Sequence, residues 1–150
     1  MSLESILPLI FDDPKDVEAI LQEEANDPYE YMLEYGFASR KLLYLDYHGE
    51  EGREIVNYIL DYEFERNIEL ASEEQLEELD EFEYDYFPDK VRVTNQILAP
   101  AGYGLFMCPT PGDFCALFLA KLEYQERLLQ VEVLDDEDRP EESRYIGYYI

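Results

Sequence analysis

The chain has 150 residues, thirty-seven of them acidic and eleven basic, for a formal charge of −26, yet 47% of it is apolar and it carries fourteen Tyr and eight Phe. High net charge prevents folding when it accompanies low hydrophobicity; only the charge half of that description holds here, so disorder is set aside in favour of a folded domain with a negative shell. A field of this sign repels phosphate backbones and anionic lipid, which excludes direct nucleic-acid and membrane binding as first expectations, and it accelerates encounters with basic proteins.

A length near the usual domain size reads as one acidic globular domain over residues 1–150. The apolar run from Ile6 to Phe11 lacks a basic leader and a small-residue cleavage site and runs at once into Asp12 and Asp13, so it is not a signal peptide. No apolar stretch approaches the ~18 residues of a membrane span. A cytoplasmic location follows as the expectation, with Cys108 and Cys115 as thiols rather than a disulfide framework.

Asp13-Pro14 opens PKDVEAILQEEA, where Val17, Ile20 and Leu21 recur at helical spacing; Asp as N-cap and Pro at the first helical position are start signals. Asp27-Pro28 repeats the device, predicting a second helix from Pro28 to about Tyr35, with Gly36 as its stop. The apolar run Leu42 to Tyr47 predicts a buried strand. From Glu50 to about Asn67, Ile55, Val56, Ile59, Leu60, Phe64 and Ile68 recur at intervals of three and four, which predicts the longest helix. Ser72 with Gln75 makes a capping box before a polar helix containing Leu76 and Leu79.

Acidic residues then accumulate from Glu73 to Asp89 with no basic residue until Lys90. Phe87, Val91, Thr94 and Leu98 are spaced for a helix stopping at Pro100. Tyr103 to Cys108 and Phe114 to Ala120, separated by PTPGD, predict an antiparallel hairpin. Leu122 to about Leu129 is helix-like, and QVEVL fits either a continued helix or a strand. Asp135 to Glu142 reads as an acidic loop and RYIGYYI, from Arg144, as a last strand. The sum is an α+β domain: N-terminal helices and a small, mostly antiparallel sheet with helices packed on one face.

Three constellations are candidates for chemistry. Asp46 and His48 fall on one side of a strand end, with Glu50 beside them, and Asp113 sits at the mouth of the hairpin; carboxylates around the sole histidine suit a metal-dependent hydrolase. The competing reading is a solvated strand end whose glutamates open the next helix. Cys108 and Cys115 flank the hairpin turn and would face each other, though the spacing of common zinc and redox sites is absent and buried free cysteine is ordinary core. The third is the acidic run itself, which interleaves its carboxylates with Phe82, Tyr84, Asp85, Tyr86 and Phe87. Carboxylates with aromatics among them suit a basic partner surface, the rings supplying contact area.

Two segments carry a resemblance. KLLYLDYHGEE, with Asp46 and Tyr47, and NQILAPAGYGLFMCPTPGDFCALFLA, with Asn95, Leu98, Gly102, Asp113 and Phe114, together resemble an uncharacterised bacterial family, domain of unknown function 6630, across about half the chain. The resemblance implies no catalytic residues and no cofactor. In size, charge and architecture the chain is also similar to bacterial toxin-immunity proteins, an analogy of form only. The leading expectation is a non-enzymatic domain that binds a basic protein partner, as an immunity-type inhibitor would, through Phe82 to Phe87. The alternatives are a small metal-dependent hydrolase using Asp46, His48 and Asp113, or a nucleic-acid mimic.

Overall fold

Where the chain folds locally, short-range capping explains it. The structure, a computed structural model, describes residues 3–24, 27–46, 50, 52–134 and 137–150. Helix α1 (Leu3–Ile10) is the apolar N-terminal run, and α2 (Pro14–Gln22) starts where Asp13 Oδ1 accepts the Lys15 amide at 2.9 Å. Asp27 caps α3 (Pro28–Ala38) in the same way, accepting from the amides of Tyr29 and Glu30 at 3.1 and 3.2 Å. Gly36 does not stop this helix. It lies inside the last turn, where its missing side chain leaves room for Leu42, whose amide returns to the Gly36 carbonyl at 3.0 Å.

Strand β1 (Leu43–Asp46) leads to α4 (Glu54–Arg66), which ends at Asn67 in the left-handed conformation. The capping box of Ser72 and Gln75 is formed in both directions, at 3.1 and 2.9 Å, and starts α5 (Glu73–Glu81). Helix α6 (Phe87–Leu98) buries Phe87, Val91, Thr94 and Leu98, the set its periodicity predicts. After a 3-10 turn and Gly102 at φ 83°, strands β2 (Tyr103–Cys108) and β3 (Phe114–Lys121) form the hairpin, and α7 (Gln125–Leu129) follows a second 3-10 turn.

The fold is α+β, with a three-stranded antiparallel sheet in the order β1-β3-β2. As the middle strand, β3 is hydrogen-bonded on both edges and covered on both faces, which is why Ala116 to Ala120 are all buried. Helices cover two faces of this sheet, not the one expected. On one side Phe106, Cys108, Ala116, Phe118 and Ala120 join α1, α2, α3 and Leu128 of α7. On the other, Leu45, Leu105, Leu117 and Leu119 join α4, α5 and α6. Alternation along β2 and β3 sends successive apolar side chains to opposite cores.

Two further expectations are corrected. RYIGYYI is not a strand: the segment divides its pairing between isolated bridges, Gly147 with Met107 and Tyr145 with Glu132, so no ladder builds on either. Of the apolar positions expected inward on α4, Leu60 is 41% and Phe64 89% exposed, while Tyr62 turns in. At about 100° per residue Phe64 stands opposite Ile55, and no single packing face includes both. Among the described residues no helix is long and apolar enough to cross a membrane.

Candidate functional site

The aromatic and acidic run forms the turn between α5 and α6. Phe82 caps the C-terminus of α5 in extended conformation, and Tyr86 precedes Phe87, the first residue of α6. Phe82, Glu83, Tyr84, Asp85, Tyr86 and Asp89 line one open concavity. Its most exposed ring is Tyr86, at 59%. Phe87 points the other way, 7% exposed and packed in the core beneath α4, α5 and α6, so it anchors the turn rather than presenting itself.

Tyr84 is held from beneath. Its hydroxyl accepts the Glu50 amide at 2.9 Å, its ring meets Phe87 edge-on at 5.8 Å, and the Lys90 ammonium lies 5.6 Å from the ring centre. That lysine belongs to a buried ion pair with Glu50, both side chains 4% exposed. The Glu50 carboxylate is divided: Oε1 meets the Lys90 ammonium and no other donor, while Oε2 accepts the Ile55 amide at 2.8 Å and so caps the first turn of α4. The pair ties the start of α4 to α6 directly under the aromatic turn, and the concavity therefore has a fixed floor. Asp89 is paired at 2.6 Å with Arg92; Glu83 and Asp85 are exposed beside the rings.

The other constellations are placed only in part. Asp46 ends β1 half-buried, opposite Phe114 in the strand register, and Asp113 is exposed in the turn just before that residue. His48 lies outside the described residues. Glu50, which would have joined them, already has both carboxylate oxygens engaged by Lys90 and Ile55. Among the described residues no group of three or more His, Cys, Asp or Glu is placed to hold a metal.

The cysteines do not face each other. Cys108 is opposite Ala116 and enters one core, and Cys115 is opposite Leu45 and borders the other. Burial pushes the Cys108 thiol up to about 12, and burial followed by the nearby Asp46 charge raises Cys115. Neither is an activated thiolate. Sequence reasoning missed the Glu50–Lys90 pair. Its signal was available: Lys90, three residues after Phe87 and next to Val91, sits on the apolar side of the predicted helix.

Several residues that carried the family resemblance prove to be fasteners. Asn95, 1% exposed, accepts the Leu105 amide at 2.7 Å and donates to the carbonyls of Tyr149 at 2.7 Å and Leu105 at 3.4 Å, joining α6, β2 and the C-terminal segment. Leu98 is fully buried and Gly102 takes the left-handed turn into β2. Fold and site define an acidic two-core α+β domain with an aromatic concavity between two helices. The chain belongs to the family described as domain of unknown function DUF6630, whose model matches residues 2–135, most of the chain rather than half. No curated protein and no solved structure matches the chain.

Proposed function

We propose that this domain is a non-enzymatic binding module for a basic protein, docking it at the turn between α5 and α6. The observation that carries the reading is the concavity at Phe82, Tyr84 and Tyr86, whose rings are interleaved with Glu83 and Asp85 and seated on the buried Glu50–Lys90 pair. Aromatic side chains on a fixed base supply contact area at low entropic cost, and a carboxylate rim on a −26 molecule steers a cationic surface toward it. No basic residue occurs from Asn67 to Asp89 to interrupt that field. Inhibition of the partner, as an immunity-type protein would exert, is the biological form this binding takes in the proposal.

The test is affinity capture from source-cell lysate at low ionic strength with wild type and a Phe82→Ala/Tyr86→Ala variant, followed by direct measurement with the purified partner. The reading expects a basic protein whose affinity falls at least about tenfold in the variant, the loss of one hot spot. Capture of nothing at low salt, or a partner bound equally by the variant, overturns it.

A further inference from the structure

We infer that a second site, independent of the acidic concavity, binds a small organic anion: a carboxylate on a flat apolar body. The place is a cavity of about 330 Å³ between the C-terminal half of α4 and the connection from α3 to β1. Three of the eleven basic residues of a −26 chain, Arg40, Lys41 and Arg66, line this one cavity. Two other grooves are rimmed differently, by Glu63, Glu69, Glu73 and Glu77 with Arg53 alone as a cation between α4 and α5, and by Glu83, Asp85 and Asp89 at the aromatic turn.

The cations are positioned before any ligand arrives. The Arg66 guanidinium lies 3.5 Å from the centre of the Tyr62 ring and is held by Asp12 at 2.6 Å. The Tyr58 hydroxyl donates to the Lys41 carbonyl at 2.6 Å, which fixes the backbone beside Lys41, and the Lys41 ammonium is 3.6 Å from Glu65. Burial raises both Tyr58 and Tyr62 above the ordinary tyrosine range, so both walls stay neutral; the Tyr58 proton is engaged by Lys41, and the Tyr62 hydroxyl is the one that can donate to a ligand. Asp61 and Glu65 share the lining and Asp12 holds Arg66, so three carboxylates balance the three cations, and a single carboxylate at Arg40 fits such a cavity better than a polyphosphate.

Arg40 is the cation left over. Among the described residues its side chain has no ion-pair or hydrogen-bond partner, while its backbone is left-handed at φ 62°. That position follows the last turn of α3, with the Arg40 amide returning to the Phe37 carbonyl at 3.2 Å, and glycine is the residue that fills it without strain. An arginine there gives the backbone nothing, and it lines the cavity. At the mouth, Phe64 is 89% exposed, a ring placed to cover a flat ligand body against Tyr58 and Tyr62.

The experiment is an amide-resolved NMR titration of the full chain with benzoate, phenyl phosphate and the uncharged benzamide. Benzoate is expected to shift the amides of Arg40, Lys41 and Phe64 saturably in the millimolar range, as a fragment of its size should. Benzamide is expected to bind at least about tenfold more weakly. Arg40→Gly is expected to melt at the same or a higher temperature, because the left-handed strain is gone, while losing benzoate affinity by about tenfold. Absence of saturable shifts, equal binding of benzamide, or full benzoate affinity in the stably folded Arg40→Gly overturns the site. Tighter binding of phenyl phosphate than of benzoate overturns its assignment to a monocarboxylate.

Discussion

At the scale of single residues, the most consequential side chain is Lys90. A charge in a 4% exposed position is tolerated only because Glu50 meets it there, and removing one partner leaves the other buried and unpaired. Lys90→Ala is therefore expected to lower unfolding free energy by about 3–5 kcal/mol in urea titration. Lys90→Met with Glu50→Gln should recover most of that, since the amide oxygen still caps Ile55 and no buried charge remains; a double variant no better than the single one contradicts the account. Cys108 sets an alkaline limit. Its thiol is raised from 9.0 to about 12 by burial, so the folded state holds the proton more tightly than the unfolded one. The associated stability is complete below pH 9 and is lost as pH rises through the folded value. The urea midpoint should hold to about pH 9 and fall above it, less steeply in Cys108→Ala, with Cys115 modified by a thiol reagent before Cys108.

At the scale of elements, the connection from α3 to β1 depends on Gly36. A methyl group there would run into the side chain of Leu42, which is 3% exposed and has nowhere to move. Alanine favours a helix by about 1 kcal/mol over glycine, but overpacking a closed core costs about 1–3 kcal/mol, so the clash prevails. Gly36→Ala should lower the melting temperature, and adding Leu42→Val should restore part of it; an unchanged or higher value for Gly36→Ala would count against the packing described. The same element explains what sequence could and could not show. Caps at Asp13, Asp27 and Ser72 were legible because they act within three residues, and the hairpin was legible from PTPGD. Gly36 misled because a helix stop and a close tertiary approach both call for glycine, and only the position of Leu42 separates them. The covering of both sheet faces had its signal in β3, whose unbroken apolar run from Ala116 to Ala120 is the pattern of a strand buried on both sides.

At the scale of the whole molecule, the charge is organised. The stretch from Asn67 to Asp89, which has no basic residue, holds α5 and the aromatic turn, whereas Arg40, Lys41 and Arg66 gather at one cavity on another side of α4. Phe87 illustrates how such a site is read only in part from sequence: its spacing to Val91, Thr94 and Leu98 already marked it as core, yet its place beside Tyr86 also marked it for binding. Helical geometry decides between the two. The basic cavity was not legible at all, because residues from α1, α4, β3 and the segment after α3 meet there only in the fold.

The central claim is that acidity steers and the aromatic turn holds. Stopped-flow association of the captured basic partner with wild type and Phe82→Ala/Tyr86→Ala, from low to high salt, tests both parts together. The account predicts an association rate that falls with salt equally for both proteins, because the field belongs to the whole molecule, and a dissociation rate raised at least about tenfold in the variant alone. An association rate indifferent to salt, or a variant that dissociates as slowly as wild type, contradicts it.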